Sequence, residues 1–338
     1  MKAAILRELK EPLVLDDVAV PEPGADDVLI KVEACGVCHS DLHLAEGDWS
    51  QLRAIVRLPL ILGHEVVGRV TAKGESVSSP EVGDRVGVAW IHWSCGQCEI
   101  CKEGMENLCP SQIITGGTVD GGYAEFIKAK ASHVTKLPES LRSDEAAPLF
   151  CAGVTVYRAI KRAAVTPGSR VAVFGVGGLG HLAIQIARAF GAEVMAVDVS
   201  EEKLEFGRTL GADLTVNAAA PDAVKQIRRS GRPHTAIVAS ASKAAYDTAF
   251  SALRPGGTLA VVGLPAEPLT FAAIAMVAAE ARIIASAVGS RADVREVLDL
   301  AAAGKVSCKV ETRPLGQINE IFQQMRLGKL AGRAVVTP

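Results

Sequence analysis

The chain has 338 residues, which is too long for one domain of average size, so two domains are the first expectation. Hydrophobic residues make up 49% and charged residues 22%, which excludes a disordered chain, and a net charge of −2 argues against a nucleic-acid-binding surface. No apolar run reaches the roughly 18 residues of a membrane-spanning helix. Because residues 1–12 lack the apolar core of a signal peptide, we expect a cytoplasmic protein without a membrane partner, whose eight cysteines are reduced.

The first 150 residues are typical of an irregular β-rich domain. Short apolar strands are predicted at 28–32 and 66–70, and Pro-Gly, Gly-Asp and Gly-Gly steps separate such segments.

From about residue 150 the pattern changes to alternating strands and helices. Strands are predicted at residues 170–174, 193–198, 235–239 and 258–262, and helices at residues 181–190 and 201–210. This alternation predicts a parallel sheet of βαβ units, and a helix at 293–303 then leads to a last strand at 334–337 that could rejoin the first domain.

A glycine-rich turn directly follows the strand at 170–174. Gly175, Gly177 and Gly180 fit the G-x-G-x-x-G pattern that opens a helix, and Asp198 stands near the expected distance further on. Such a turn lets backbone N–H groups at the helix start contact a pyrophosphate. The carboxylate of Asp198 can accept hydrogen bonds from ribose hydroxyls and would repel a 2′-phosphate, so NAD is favoured over NADP. The alternative is an ordinary glycine-rich βα turn.

Half of the cysteines fall within fifteen residues. Cys95, Cys98, Cys101 and Cys109 offer four thiolates at a spacing that can close a tetrahedral zinc site, which would be structural because no position stays open. An iron–sulfur cluster is the rival interpretation, kept open by the Cys109–Pro110 step.

A second set of ligand residues is spread over the chain. Cys35, Cys38 and His39 match the C-x-x-C-H haem motif only superficially, since no export signal precedes them, and His64–Glu65 begins an H-E-x-x-H motif that Gly68 breaks. Cys38, His64 and Cys151 remain, one imidazole and two thiolates, which is the donor set of a catalytic zinc with an open fourth position.

These motifs in this order, from one end of the chain to the other, resemble the zinc-containing medium-chain alcohol dehydrogenases, nearest to the tetrameric yeast and bacterial branch. The resemblance is carried by residues 36–43, 63–65, the four cysteines, residues 151–157, the glycine turn, residues 289–293 and residues 332–333. It implies an α/β fold in which a GroES-like β-rich catalytic domain accompanies a Rossmann domain with a doubly wound parallel sheet. The implied boundaries are 1–150 for the catalytic domain, about 91–112 for its zinc lobe, 151–290 for the NAD-binding domain, and 291–338 for a segment that returns to the catalytic domain.

The resemblance also implies a role for individual residues. Two zinc ions and NAD would be bound, with Cys38, His64 and Cys151 on the catalytic zinc and Glu65 behind it as an exchangeable ligand. Asp41 would orient His64, while Ser40 and His43 would carry the proton of the substrate hydroxyl outward. The residues implied to bind the cofactor are His39, Thr155, Gly175, Gly177, Gly178, Leu179, Gly180, Asp198, Lys203, Val262 and Arg333.

The implied reaction is reversible hydride transfer between a small primary alcohol or its aldehyde and NAD. Trp49, Trp90 and Leu264 match positions around the substrate in this family, and two indoles would favour small alcohols. Trp93 departs from the yeast pattern and could remodel the pocket or an interface. The chain lacks, after Cys109, the long insertion of the dimeric animal enzymes of this family, and the resemblance therefore implies a homotetramer.

Three other functions have to be weighed. A related zinc dehydrogenase could act on an aromatic alcohol, a polyol or formaldehyde. A zinc-free quinone reductase of the same fold would lack Cys38, Cys151 and the four-cysteine cluster, all of which are present. A metal-stabilised binding protein that contacts nucleic acid is disfavoured, because the cluster contains one basic residue, Lys102, and the chain is slightly acidic.

Overall fold

The computed structural model describes residues 1–48, 56–330 and 332–338. Backbone contacts divide the chain into two compact units. Unit 1 comprises Met1–Cys151, Ser290–Ala302 and Cys308–Pro338, and unit 2 comprises Ala152–Gly289 and Ala303–Ser307. No helix among the described residues is both long and apolar enough to cross a bilayer.

Unit 1 is built around the strand β3 (Asp27–Val37), which pairs with β5, β9 and β18. Six strands of its seven-stranded sheet follow the order β10-β6-β5-β3-β18-β17. The seventh, β9, also pairs with β3 but lies outside this order. The other strands of this sheet are β5 (Glu65–Lys73), β6 (Arg85–Val88), β9 (Phe126–Lys130), β10 (Val134–Lys136), β17 (Val310–Pro314) and β18 (Arg333–Thr337). The last strand of the chain therefore lies next to one of the first, antiparallel to it.

Two smaller sheets complete the β structure described for unit 1. One has the order β2-β1-β4 and the other pairs β7 with β8. Their strands are β1 (Lys2–Leu6), β2 (Val14–Asp17), β4 (Leu60–Ile61), β7 (Ile91–Trp93) and β8 (Ile113–Ile114). The described helices of this unit are α1 (His39–Glu46), α2 (Glu99–Lys102), α3 (Ser143–Ala146), α10 (Arg291–Ala302) and α11 (Ile318–Arg326).

Unit 2 contains a six-stranded parallel sheet in the order β13-β12-β11-β14-β15-β16. Its strands are β11 (Arg170–Phe174), β12 (Glu193–Asp198), β13 (Leu214–Asn217), β14 (Thr235–Val238), β15 (Thr258–Val261) and β16 (Arg282–Ala285). Counted along the chain this is the order 3-2-1-4-5-6 of a doubly wound dinucleotide-binding fold. The central strands are continuous apolar runs, as expected where helices cover both faces of a parallel sheet.

The helices of unit 2 alternate with these strands. They are α4 (Ala152–Arg162), α5 (Gly180–Ala189), α6 (Glu201–Thr209), α7 (Ala223–Arg229), α8 (Lys243–Ala252) and α9 (Ala273–Ala279). Residues 180–187 of α5 are all buried, Leu182, Ile184 and Ile186 among them, so this helix is buried on more than one face. Strand order and alternation confirm the α/β class, with a β-rich part and a doubly wound parallel sheet.

Candidate metal centres and dinucleotide turn

Four potential ligands from three distant parts of the sequence meet in unit 1. Cys38, His64, Glu65 and Cys151 each offer a donor atom, and these atoms all lie within 4.8 Å of one another. The Sγ atoms of Cys38 and Cys151 are 3.9 Å apart, and Nε2 of His64 is 3.3 Å from Sγ of Cys151. Two sulfurs bound to one tetrahedral zinc at about 2.3 Å lie roughly 3.8 Å apart, so the sulfur pair fits that ion.

Local structure determines where each of these side chains lies. Cys38 is the N-cap of α1, and its Sγ accepts a hydrogen bond from the backbone N of Ser40 at 3.5 Å. His64 lies immediately before β5, which begins at Glu65. Cys151 ends a short 3-10 turn (Ala147–Phe150) whose buried Phe150 ring occupies the space beside Gly87, where a Cβ would lie 2.0 Å from the ring.

The Cys38 sulfur is electrostatically suited to bind a metal. A hydrogen bond from Cys151, together with His64, lowers the pKa of Cys38 well below its ordinary value, although burial opposes this shift. The thiolate is the form that binds zinc. The ring of His64 also packs edge-on against Trp90, with the ring centroids 4.9 Å apart.

Asp41 fixes the orientation of the histidine. Its Oδ1 lies 2.9 Å from Nδ1 of His64, and both side chains are fully buried. An N–H at Nδ1 leaves Nε2 free to bind a metal, which is the usual arrangement of a carboxylate behind a metal-bound histidine.

Glu65 is a buried carboxylate, and only one of its two oxygens has a hydrogen-bond partner among the described residues. Its Oε1 accepts a hydrogen bond from Arg333, while its Oε2 has no partner among the described residues. Burial raises the pKa of Glu65 to about 7, and the guanidinium of Arg333 opposes that rise. A buried carboxylate oxygen without a hydrogen-bond partner, in a cluster with two sulfurs and an imidazole, fits a divalent cation better than it fits an apolar core.

The second cluster forms the cysteine lobe, residues 91–112. The sulfurs of Cys95, Cys98, Cys101 and Cys109 lie within 4.8 Å of one another. Backbone N–H groups of Cys98 and Cys101 donate to sulfur at 3.4 Å each, and backbone N–H bonds from Gln97 and Cys98 lower the pKa of Cys95 to about 6. Four sulfurs in this arrangement match a closed structural zinc site.

The glycine turn of unit 2 joins β11 to α5. Gly175 has φ = +91°, and a Cβ on Gly180 would lie 1.7 Å from the carbonyl oxygen of Gly175. A Cβ on Gly177 would meet nothing within 4 Å, so the backbone is open there to a ligand. The turn is thus built as the phosphate-binding pattern requires.

Asp198, at the end of β12, also stabilises the local backbone through hydrogen bonds. Its Oδ2 accepts a hydrogen bond from the backbone N of Val176 at 2.7 Å, and its Oδ1 accepts one from Ser200 at 3.1 Å. The carboxylate therefore holds the glycine turn against β12, and its remaining lone pairs are those left for a ribose.

Comparison with known proteins agrees with the description of the β-rich unit and of the unit with the glycine turn. Residues 24–139 match the family described as the alcohol dehydrogenase GroES-like domain, and residues 178–303 match the family described as zinc-binding dehydrogenase. An alcohol dehydrogenase of Geobacillus stearothermophilus is 46% identical over 337 residues, which is 99% of each chain.

Solved structures agree as well. The alcohol dehydrogenase of the archaeon Aeropyrum pernix is 38% identical, with a TM-score of 0.91 and complete coverage of both chains. Acetophenone reductase of Geotrichum candidum, solved in complex with NAD, is 32% identical, with a TM-score of 0.90 over 100% of this chain and 97% of that one.

The chain belongs to the zinc-containing medium-chain alcohol dehydrogenase family. The resemblance inferred from the sequence motifs is thereby confirmed, and the zinc-free and nucleic-acid-binding alternatives are not supported.

In this alcohol dehydrogenase the proposed proton-carrying residues lie on α1. Ser40 and His43 are half-buried, and Nδ1 of His43 lies 2.8 Å from the Asp48 carboxylate, a contact that the sequence did not predict. His39 begins the same helix, with its ring 6.5 Å from that of His43. Trp49 lies outside the described residues.

The remaining predicted cofactor and substrate residues differ in exposure. Lys203 is exposed in the first turn of α6, whereas Val262 is buried directly after β15. Thr155, Gly178 and Leu179 are half-buried, Trp90 is half-buried against His64, and 54% of Leu264 is exposed.

Two further contacts, near the two cysteine-containing clusters, were not predicted from the sequence. The hydroxyl of Tyr123 donates to Asp41 at 2.8 Å. Glu106, within the cysteine lobe, is paired with Arg291, whose guanidinium donates to both carboxylate oxygens and to the carbonyl of Ser132. The sequence contains the motif around Arg291, but nothing in it indicates a partner 185 residues away.

We predict that Glu106→Gln destabilises the protein by about 1–2 kcal/mol at neutral pH, because a bidentate, partly buried pair is replaced by a weaker neutral contact. Burial raises the pKa of Glu106, but the hydrogen bonds from Arg291 outweigh it and hold the pKa below its ordinary value of 4.5. The contribution is therefore fully present above pH 4.5 and disappears as the pH falls through the lowered pKa.

The measurement is denaturant unfolding of wild type and variant across this pH range. Asp247→Asn, which breaks the exposed Lys243–Asp247 pair on α8, should cost less than about 0.5 kcal/mol and serves as the control. An equal cost for the two variants at neutral pH would contradict the role given to Glu106.

Proposed function

We propose that this enzyme transfers a hydride reversibly between a small primary alcohol and NAD, with a catalytic zinc on Cys38, His64 and Cys151 and a structural zinc in the cysteine lobe. Zinc and NAD are its cofactors. The observation that carries the proposal is the convergence of two buried sulfurs, one imidazole nitrogen and one carboxylate oxygen of Glu65 within 4.8 Å. Three protein ligands and an open fourth position distinguish a catalytic zinc from a structural one.

Each unit would supply one part of the reaction. We assign residues 1–150 to a catalytic domain, 151–290 to an NAD-binding domain, and 291–338 to a segment that returns to the catalytic domain. The pairing of β18 with β3, and the phosphate-binding turn of unit 2, support this division.

When bound, zinc would act as a Lewis acid that makes the substrate hydroxyl more acidic and polarises the carbonyl in the reverse direction. Cys38 and Cys151 would hold the ion, and Asp41 would keep His64 in the tautomer that binds it. NAD, when bound, would accept the hydride of the carbinol carbon, and the substrate hydroxyl would lose its proton to the protein. Ser40 would accept the hydroxyl proton and His43 would pass it toward solvent, with Asp48 holding the imidazole in place.

Glu65 would serve as the reserve ligand. Its Oε1 is held by Arg333, while its Oε2 has no hydrogen-bond partner among the described residues, and one of its oxygens lies within 4.8 Å of the other three donor atoms. We also assign Arg333 to the cofactor pyrophosphate, since a guanidinium offers five N–H donors and Glu65 does not use them all.

The turn of unit 2 would hold the cofactor. Backbone N–H groups at the start of α5 would contact the pyrophosphate near Gly175, Gly177, Gly178 and Gly180. The negative charge of Asp198 disfavours a 2′-phosphate and so favours NAD. Lys203 would contact the adenosine ribose, with Thr155, Leu179 and Val262 beside the nicotinamide and His39 near the pyrophosphate.

Substrate size would be set by the indoles of Trp49 and Trp90 and by Leu264. Trp90 is in contact with the metal ligand His64, so its ring can limit the space beside the ion. An aromatic substrate is the second candidate, because a structural relative is named for reducing acetophenone.

We further propose that the enzyme is a cytoplasmic homotetramer. The segment around α9 and the edge strand β16 supports self-association. The exposed fractions of Ile274 and Val277 are 76% and 73%, and within the described part of the chain β16 pairs with β15 alone. An exposed apolar helix beside an open strand edge is suited to bind a second copy of the chain. Light scattering of the purified protein measures the number of subunits directly, and a monomer would contradict the proposal.

Replacing one ligand in each zinc set should separate the two roles. We expect wild type to contain two zinc ions per chain. Cys38→Ser should reduce NAD-dependent ethanol oxidation more than about 100-fold, since even loss of a group behind a ligand costs 10–100-fold, while leaving the melting temperature less affected. Cys98→Ser should chiefly lower the melting temperature, because the lobe depends on its metal for order.

These two variants are matched, since each changes one ligating sulfur to oxygen. Zinc content, steady-state rates and thermal unfolding are the measurements. Full activity in Cys38→Ser would refute the catalytic assignment.

A panel of ethanol, benzyl alcohol and a polyol tests the substrate class. We predict the highest kcat/KM for ethanol, and we predict that Trp90→Ala shifts the ratio toward benzyl alcohol by about 10-fold or more, because an indole is removed from the space beside the ligands. Trp93→Ala removes the third indole, at the end of β7, and an unchanged ratio in that variant would show that the shift is specific to Trp90. Preference of the wild type for benzyl alcohol would favour the second candidate.

A further inference from the structure

We propose that the hydroxyl of Tyr123 positions the catalytic metal ligands by holding Asp41 in the orientation that fixes both Cys38 and His64. The inference rests on the proposed assignment of zinc to Cys38, His64 and Cys151. Tyr123 touches neither the substrate nor the ion in this account, so it is a positioning residue.

The carboxylate of Asp41 is fully buried and its acceptor capacity is completely used. Oδ1 accepts from the backbone N of Gly63 at 3.2 Å and from the ring of His64 at 2.9 Å. Oδ2 accepts from the backbone N of Cys38 at 2.9 Å and from the hydroxyl of Tyr123 at 2.8 Å. An ionised carboxylate has about four lone-pair positions, and here four donors occupy them.

This carboxylate links two ligands that are distant in sequence. Through Oδ2 it holds the backbone of Cys38 at the start of α1, and through Oδ1 it holds the ring of His64. A rotation of the carboxylate therefore displaces both ligands together. Tyr123 donates to the oxygen that serves Cys38, so its hydroxyl opposes that rotation.

Tyr123 itself is firmly held. Its backbone N donates to the carbonyl of Leu62 at 3.0 Å, and its carbonyl accepts from the N of Ala4 at 2.8 Å. Its ring lies so close to Gly63 that a Cβ there would come within 2.6 Å of Cδ1, and Phe322 packs against it at a centroid distance of 6.5 Å. Because the side chain is constrained in this way, its hydroxyl has one position. Groups that orient metal ligands have to be fixed like this.

Tyr123→Phe preserves the ring and removes only the donor. Oδ2 of Asp41 is then left with a single donor in a place that water does not reach, since both residues have no exposed surface. We expect zinc to leave the Cys38–His64–Cys151 site about 10-fold faster, the lower end of the range for groups behind a ligand. Zinc in the cysteine lobe should be unaffected.

The experiment follows zinc release from the intact holoenzyme to a chromogenic chelator, with Cys38→Ser and Cys98→Ser used to assign the two phases. Cobalt substitution adds a readout other than activity, because the visible ligand-field bands report the geometry of the catalytic site. Tyr246→Phe is the matched control: Tyr246 is a buried tyrosine of unit 2 whose hydroxyl also donates, to the carbonyl of Gly263. It should change neither phase.

A faster catalytic phase with altered cobalt bands, an unchanged lobe phase and no such effect in Tyr246→Phe would support the role of Tyr123. In an Asp41→Asn background the further change Tyr123→Phe should add nothing, because the carboxylate it supports is gone. Two unchanged phases, or equal acceleration of both, would overturn it. A wild type that holds zinc only in the lobe would instead refute the metal assignment itself, which distinguishes the two failures.

Discussion

The structure of unit 1 depends on bringing two sulfurs and an imidazole from positions 38, 64 and 151 into one buried cluster. None of these residues is held by its neighbours in sequence alone. Cys38 stands where the long strand β3 passes into α1, His64 stands where the chain enters β5, and Cys151 stands at the end of a turn packed on Gly87. The antiparallel pairing of β3 with β5 aligns the first two, since Gly36 lies opposite Glu65 in its register.

Charge explains why the cluster is surrounded by so many polar side chains. With both sulfurs deprotonated, the cluster would carry four negative charges, on Cys38, Cys151, Glu65 and Asp41. Arg333 is the buried cation that is ion-paired with this cluster among the described residues, through Glu65. Such an arrangement is costly unless protons or a divalent ion balance it. Metal binding and deprotonation of the sulfurs are therefore coupled, and the hydrogen bonds to Asp41 and Glu65 keep the remaining charge in place.

Much of this could be predicted from the sequence because the signals are local. The strand at β11, the glycine turn and Asp198 follow a pattern in which each residue has a conformational reason, and four cysteines within fifteen residues indicate a metal without any knowledge of the fold. The tail strand could be predicted from its apolar run, together with its return to the first domain, but nothing in the sequence indicated β3 as its partner. The residue types suggested the three-ligand set, and family resemblance strengthened it, because Cys151 lies 113 residues from Cys38 and no local spacing connects them.

What the sequence could not indicate are contacts created by tertiary pairing. Tyr123 appears in it only as part of a Gly-Gly-Tyr turn, and its bond to Asp41 exists because residues 121–123 pair with the backbone of residues 61–63. The same is true of Glu106 with Arg291, and of Asp198, whose bond to the N–H of Val176 gives it a structural as well as a cofactor role.

Anomalous diffraction at the zinc edge tests the central claim most directly. The account predicts two peaks per chain, one bounded by Sγ of Cys38, Nε2 of His64 and Sγ of Cys151, and the other enclosed by the four sulfurs of the cysteine lobe. A peak in the lobe alone, with the sulfurs of Cys38 and Cys151 turned apart, would contradict it.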